Sequence, residues 1–328
     1  MLALAKRGLR RVPDYFRRRR SSSIRLSVDI GSRHIKVIES ERRGADIWIS
    51  KALCFETPAG AVTNQVVSDV DAVANAVRRA LETAGVTATR ALTCIPGPSA
   101  MIKRGRLPLG EAERLDAFVR NEIENLTSCG AEALRVDHQV SEIHLEEALE
   151  VLVVAARPET VNTYVEALER AGLGVEVVDV DYLALENMFA ANHEAEASRT
   201  IALVHLGARF CALTIQSHGS WRVSGNVAVG TDAAAGGDAV AMEIDRALRF
   251  YWPASAGDRI DEVVLSGGGA ALLSIDRQLA ARIGCSVRYA EPFNRMKFAS
   301  PVAREDICRS PASFAIAAGL AVRSLEEA

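Results

Sequence analysis

The chain lacks any apolar run near the ~20 residues that a membrane-spanning helix requires; its longest largely apolar stretches, around 148–156 and 312–322, fall well short. A secretory signal is missing as well. The basic opening segment runs into Ser21, Ser22 and Ser23 and then a strand pattern, with no apolar stretch of roughly 7 to 15 residues behind its charges. Both absences predict a cytoplasmic protein. The six cysteines, Cys54, Cys94, Cys129, Cys211, Cys285 and Cys308, form no C-x-x-C pair and no dense cluster, which excludes a disulfide scaffold and points to reduced thiols. The six histidines show no ligand spacing such as H-E-x-x-H, so a structural zinc site has no support. No nucleic-acid recognition motif occurs, and beyond its first residues the chain is acidic, so no nucleic acid is expected as a partner.

What is present is an ordinary globular composition: 328 residues, 49% hydrophobic and 25% charged, enough for two modest domains with cores of their own. The net charge of -3 conceals an asymmetry. Residues 1–23 carry Lys6, Arg7, Arg10, Arg11, Arg17, Arg18, Arg19 and Arg20 against Asp14, about +7, which leaves about -10 for the rest. Leu2, Leu4, Leu9, Val12, Tyr15 and Phe16 are interleaved with these cations. The leader therefore reads either as a segment lying on an anionic membrane surface or as a solvated arm.

The order of elements repeats. Residues 25–39 hold two β-branched runs joined by a glycine-containing turn, a hairpin signal, and 47–55 form a third strand. Residues 70–84 place Val70, Val73, Ala74, Val77, Ala80 and Leu81 at helical spacing and end at Gly85, and 91–95 form a buried strand before Pro96. From residue 200 the same series returns. Val28-Asp29-Ile30-Gly31-Ser32-Arg33 aligns with Val204-His205-Leu206-Gly207-Ala208-Arg209; Trp48 and Trp221 open the third strands; helices follow at 70–84 and 239–251, and strands at 91–95 and 262–266. Between the copies, residues 91–180 read as a strand, a helix 110–126, strands near 134–142 and 149–155, a helix 158–171 and a strand 175–179.

Three segments carry phosphate and nucleoside chemistry. In Asp29-Ile30-Gly31-Ser32-Arg33-His34-Ile35-Lys36, Gly31 permits a tight turn whose backbone N–H groups can face a phosphate. Ser32 adds a hydroxyl, Lys36 a point charge, and Asp29 a carboxylate able to hold hydrated Mg2+ through water. The glycines Gly267, Gly268 and Gly269, between a strand and a helical run ending at Ile283, let the main chain approach a base and ribose closely. Glu243 and Arg246, at i and i+3, either reach the base or ribose or form a solvated surface pair.

The doubled unit and these motifs resemble the actin-like superfamily, and within it the PilM proteins of type IV pilus machines, near relatives of FtsA and MshI-like proteins. The resemblance implies an α/β fold of duplicated ribonuclease-H-like (actin-like) lobes, with an inserted α+β subdomain in the first lobe and a shortened second lobe. It divides the chain into a basic leader 1–23, a first lobe 24–199 with the insertion at about 91–178, and a second lobe 200–328. It also implies ATP or ADP with Mg2+ as cofactors, bound by Asp29, Gly31, Ser32, Lys36, His205, Gly207, Glu243, Arg246, Gly267, Gly268 and Gly269. Ala317-Ala318-Gly319-Leu320-Ala321 resembles the helix that packs the lobes together.

The pattern breaks in the second copy. A second D-x-G is expected, and His205 stands where its aspartate belongs, a poor partner for a hard oxygen-seeking ion. His205 either bonds to phosphate or is a satisfied core residue. Asp181, in Asp179-Val180-Asp181-Tyr182, matches the family's acidic position and is the candidate general base. Only about a dozen residues separate Gly230 from Glu243, where the family carries a further small helical subdomain. The resemblance therefore implies a nucleotide-binding scaffold with weak or absent hydrolysis, cytoplasmic and peripheral at the inner membrane. It would dock on the cytoplasmic N-terminal tail of a PilN-like membrane protein, through a groove between the first lobe and residues 91–178. An active ATPase or sugar kinase and an FtsA-like filament protein are the alternatives. The missing second aspartate disfavours the first and the short second lobe the other.

Overall fold

Ile24–Ile30 (β1) alternates apolar and polar residues, yet both of its faces are covered: Leu26, Val28 and Ile30 are buried on one, and Ser27 and Asp29 on the other. The structure is a computed structural model and describes residues 24–127, 131–143, 148–193, 198–232, 236–252, 259–269, 275–300, 307 and 310–323. The basic leader, Cys129, Cys308 and Ala270 lie outside the described residues.

The chain divides into two compact units, residues 100–159 and the combination of 23–99 with 160–328. The larger unit holds two sheets of matching order. In the first, β1 pairs antiparallel with His34–Arg43 (β2), which pairs antiparallel with Asp46–Glu56 (β3). On the other side of β1 follow Arg90–Ile95 (β6) and Gly174–Val180 (β10), both parallel to it; a two-residue pairing of Val62–Thr63 (β4) with Val66–Val67 (β5) lies between β3 and β6 in sequence. The second sheet repeats this with Thr200–Leu206 (β11), Cys211–Ser217 (β12), Ser220–Val227 (β13), Glu262–Ser266 (β14) and Ser286–Tyr289 (β15). Each copy is the antiparallel triplet followed by two parallel strands, the ribonuclease-H-like arrangement, so the duplicated α/β reading stands.

Helices sit at corresponding places. Val70–Thr83 (α1) starts at Asp69, whose carboxylate accepts the Ala72 N–H at 2.9 Å, and ends before Gly85 at φ +59°. Its counterpart is Gly237–Tyr251 (α5). Pro158–Arg170 (α3) and Ile275–Ile283 (α6) precede the fifth strands. Asp181–Asn192 (α4) follows β10, and Ala315–Arg323 (α7) closes the described chain. These last two helices touch backbone to backbone: a Cβ at Gly319 would stand 1.8 Å from the Ala184 carbonyl oxygen. The small residue at 319 thus permits a close helix contact.

One strand crosses between the copies. Met296–Phe298 (β16) lies beyond β15 in sequence yet pairs parallel with β3, Met296 opposite Ile47, and so widens the first sheet.

The smaller unit is an antiparallel sheet of Ala100–Pro108 (β7), Arg135–Ile143 (β8) and Ala148–Ala156 (β9), with β9 central, packed by Leu115–Leu126 (α2) around Leu107, Val119, Ile123, Val151 and Val153. The helix expected over 110–126 is in fact a 3-10 segment, Leu109–Arg114, followed by α2. Gly110 carries a high entropic cost in a helix, and this segment buries no side chain that would repay it.

Candidate functional site

Antiparallel register sets Asp29 directly opposite Lys36, one residue pair away from the turn on each side. Lys36 Nζ lies 3.2 Å from Asp29 Oδ2, with side chains only 11% and 8% exposed, so two charges are held together away from bulk water. The turn is built for glycine. The Gly31 N–H donates to the His34 carbonyl at 3.1 Å, and a Cβ at 31 would stand 2.8 Å from that oxygen and 3.5 Å from Lys36 Nζ. Thr57 fixes the turn from outside, its hydroxyl donating to the Gly31 carbonyl at 2.7 Å and its N–H to the Arg33 carbonyl at 2.9 Å.

The second turn copies the first in backbone and departs in charge. The Gly207 N–H donates to the Phe210 carbonyl at 3.1 Å, and a Cβ there would be 2.6 Å from that oxygen. In the register, however, His205 faces Ala212, so the buried carboxylate and the ammonium are both absent. His205 Nδ1 is 3.0 Å from the Ser266 hydroxyl, and burial, reinforced by Lys36 and opposed by Asp29, pushes the imidazole down to about 4. It is neutral at physiological pH. The turn is also gripped by its surroundings: Thr231 and Asp232 N–H groups donate to the Gly207 and Ala208 carbonyls at 3.2 and 2.9 Å, and the Gly269 N–H to the Leu206 carbonyl at 3.3 Å. Gly267 holds φ +93°, where a Cβ would strike Leu206, and one on Gly269 would meet Thr231 Cγ2 at 2.1 Å.

Asp181 opens α4, 5% exposed, and accepts the Gly97 N–H at 2.7 Å and the Tyr182 N–H. Burial raises its carboxyl to about 7; the Gly97 bond opposes the rise, and Asp29 and Asp179 add to it. A carboxyl in that range is suited to proton transfer near neutrality.

Both turns, Asp181 and the glycine loop line one cavity of about 450 Å³, a usual size for a small-molecule site. It brings together Asp29, Gly31, Ser32, Lys36, Asp181, His205, Gly207, Gly268 and Gly269. Gly267 is buried beneath that wall, while Glu243 is half-buried and Arg246 exposed on α5, neither of them lining the cavity. Sequence reasoning did not single out Tyr164, Gln65, Cys54, Cys94, Thr231, Ser310 and Ser313, which also line it. It aligned Arg33 with Arg209 but assigned neither to the site; both are in its wall. The repeat itself was the signal for that pair.

The residues fit phosphate: two glycine turns whose Cβ positions are closed by backbone oxygens, a hydroxyl at Ser32 and a buried ammonium at Lys36. They do not fit a divalent cation equally well. Asp29 is engaged by Lys36, Asp181 by backbone donors, and the facing position offers an uncharged imidazole. Among the described residues no group of three or more His, Cys, Asp or Glu side chains is arranged to hold a metal.

Two ribonuclease-H-like halves, each presenting its first hairpin turn to one shared cavity, define an actin-like fold. The chain belongs to the family of type IV pilus assembly protein PilM, whose family model matches residues 27–228 and 237–325. Among solved structures it is similar to a PilM-PilN type IV pilus biogenesis complex, with TM-score 0.78 at 21% identity over 92% of this chain and 98% of the other. It also resembles the ethanolamine utilization protein EutJ from Carboxydothermus hydrogenoformans, with TM-score 0.53 and 11% identity over 92% and 90% of the two chains. A Bacteroides thetaiotaomicron protein with an actin-like ATPase fold and unknown function matches with TM-score 0.51 and 12% identity over 83% and 92%. At these identities the likeness establishes the fold. Among the described residues no helix is long and apolar enough to cross a membrane.

Proposed function

We propose that this protein is a nucleotide-binding scaffold of a type IV pilus or MSHA-like assembly machine, held at the cytoplasmic face of the inner membrane by the tail of a PilN-like protein. Family membership supports the pilus role. One structural relative is a PilM-PilN complex, which supports the choice of partner. The observation that carries the nucleotide part is the cavity in which two glycine turns, Ser32 and the Asp29–Lys36 pair converge with Gly268 and Gly269. ATP or ADP is the ligand: Gly31, Ser32, Lys36 and Gly207 face its phosphates, and the 267–269 loop its adenosine. In this reading 24–199 and 200–328 are the two lobes, the region of about 91–178 is the insertion in the first, and the basic leader adds attraction to anionic lipid.

Turnover is slow. In this reading Asp181 serves as a base, supported by its carboxyl raised to about 7, but His205 removes the second acidic group on the phosphate side, which leaves binding as the main activity. Equilibrium binding of ATP measured beside its hydrolysis tests this: binding with little turnover is expected. Rapid Mg2+-dependent hydrolysis abolished by Asp29→Ala would sink the scaffold reading. A pull-down with the N-terminal tail of a PilN-like protein is expected to retain the chain, and no retention with or without ATP would remove the proposed partner.

A further inference from the structure

We infer that Arg209 acts with Lys36 to neutralise the phosphate tail of the bound nucleotide, and that binding requires no divalent cation. The inference rests on the nucleotide reading above and concerns the side of the cavity where the two copies differ.

The two turns correspond position by position in their registers. Where the first has Asp29 opposite Lys36, the second has His205 opposite Ala212, so the second turn has lost its anchor for a hydrated cation and its own ammonium together. One cation remains at its tip. Arg209 lines the cavity and corresponds to Arg33 of the first turn, which lines it too. Their situations differ. Arg33 Nη2 is 2.5 Å from Asp232 Oδ1, in the loop that clasps the second turn through the Asp232 N–H, so Arg33 is engaged. Among the described residues Arg209 has neither an ion-pair nor a hydrogen-bond partner, although it is exposed at the cavity.

The carboxylates of the same wall are engaged. Asp29 is 3.2 Å from Lys36 Nζ, and Asp181 accepts the N–H groups of Gly97 and Tyr182. Among the described residues a dication entering the cavity meets no unengaged carboxylate, whereas a phosphate meets an unengaged guanidinium whose planar fork matches its oxygens. The loss of an acidic residue and the presence of a spare cation on one turn are thus complementary: the charge a metal would have supplied is carried by the side chain of Arg209.

Calorimetric titration of the full chain with ATP and with ADP, in excess Mg2+ and in excess EDTA, tests this. Kd values agreeing within about threefold between the buffers are expected, and Arg209→Ala should weaken binding in EDTA by about tenfold or more, the usual size of a charge-assisted phosphate contact. Arg209→Lys, which keeps the charge without the fork, should recover part of that loss. Affinity at least about tenfold higher in Mg2+ would overturn the inference while leaving the nucleotide reading intact, since tight binding would then depend on the metal. Unchanged affinity in Arg209→Ala, or a Lys variant as weak as the Ala variant, would overturn it as well. Absence of binding in both buffers would remove the nucleotide reading and this inference with it.

Discussion

Burial acts in opposite senses on two ionisable residues of the cavity wall. The folded state lowers His205 to about 4, so its contribution to stability is present above the unfolded imidazole value and is lost as pH falls through about 4. It raises Asp181 to about 7, so that contribution is present below the unfolded carboxyl value and is lost as pH rises through about 7. Between roughly pH 4 and 7 the two slopes oppose each other. Asp181→Asn leaves the His205 slope unopposed. Urea unfolding across this range is expected to show the variant losing ~3 kcal/mol relative to the parent on acidification from pH 7 to 4. Parallel pH profiles would show that Asp181 does not titrate as its burial implies. At this scale the sequence was readable wherever the partners were local. Asp29, Gly31 and Lys36 were read as one hairpin, while the pairing of Asp29 with Lys36 is set by the register of its turn. The Arg33–Asp232 pair joins residues of different copies and was not foreseeable from spacing.

Elements with strong periodicity or turn chemistry were legible to within a residue or two, as β1, α1 and β14 show, while β2 runs four residues past the expected end of the hairpin. Others were hidden by their composition. In β7, Lys103, Arg104, Gly105 and Arg106 break the apolar alternation, and Gly105 is there because the Phe118 ring occupies the space a Cβ would take. β15 and β16 are four and three residues long, too short for any period to register. The closeness of α4 and α7 was foreshadowed by small residues, and its extent gives a prediction. Gly319→Val must part the helices, because its Cβ begins 1.8 Å from the Ala184 oxygen. A loss of about 3 kcal/mol or more in denaturant unfolding is expected, at the upper end of what overpacking costs, because the contact is with backbone. A change below about 1 kcal/mol would mean that the helices can slide apart freely.

At the scale of the molecule, the duplication was the most legible feature, since two strand orders and two glycine turns repeat in sequence before they repeat in space. The asymmetry of the copies was legible only in part: His205 was visible, while the loop carrying Thr231 and Asp232 took its meaning from contacts with the second turn. Within the larger unit the copies are tied by α4 against α7 and by β16 on β3. They should therefore unfold together. With Trp252 replaced, Trp48 reports on the first sheet and Trp221 on the second, and variants retaining one or the other are expected to give the same urea midpoint by fluorescence. Two separated midpoints would show independently stable halves.

The position of β16 bears on how the protein is made. Residues 296–298 leave the ribosome long after β1, β2 and β3, so the nascent first sheet presents the outer edge of β3 bare while most of the second copy is being synthesised. A chain released early, before residue 296, carries that open edge permanently and is a template for pairing with another such chain.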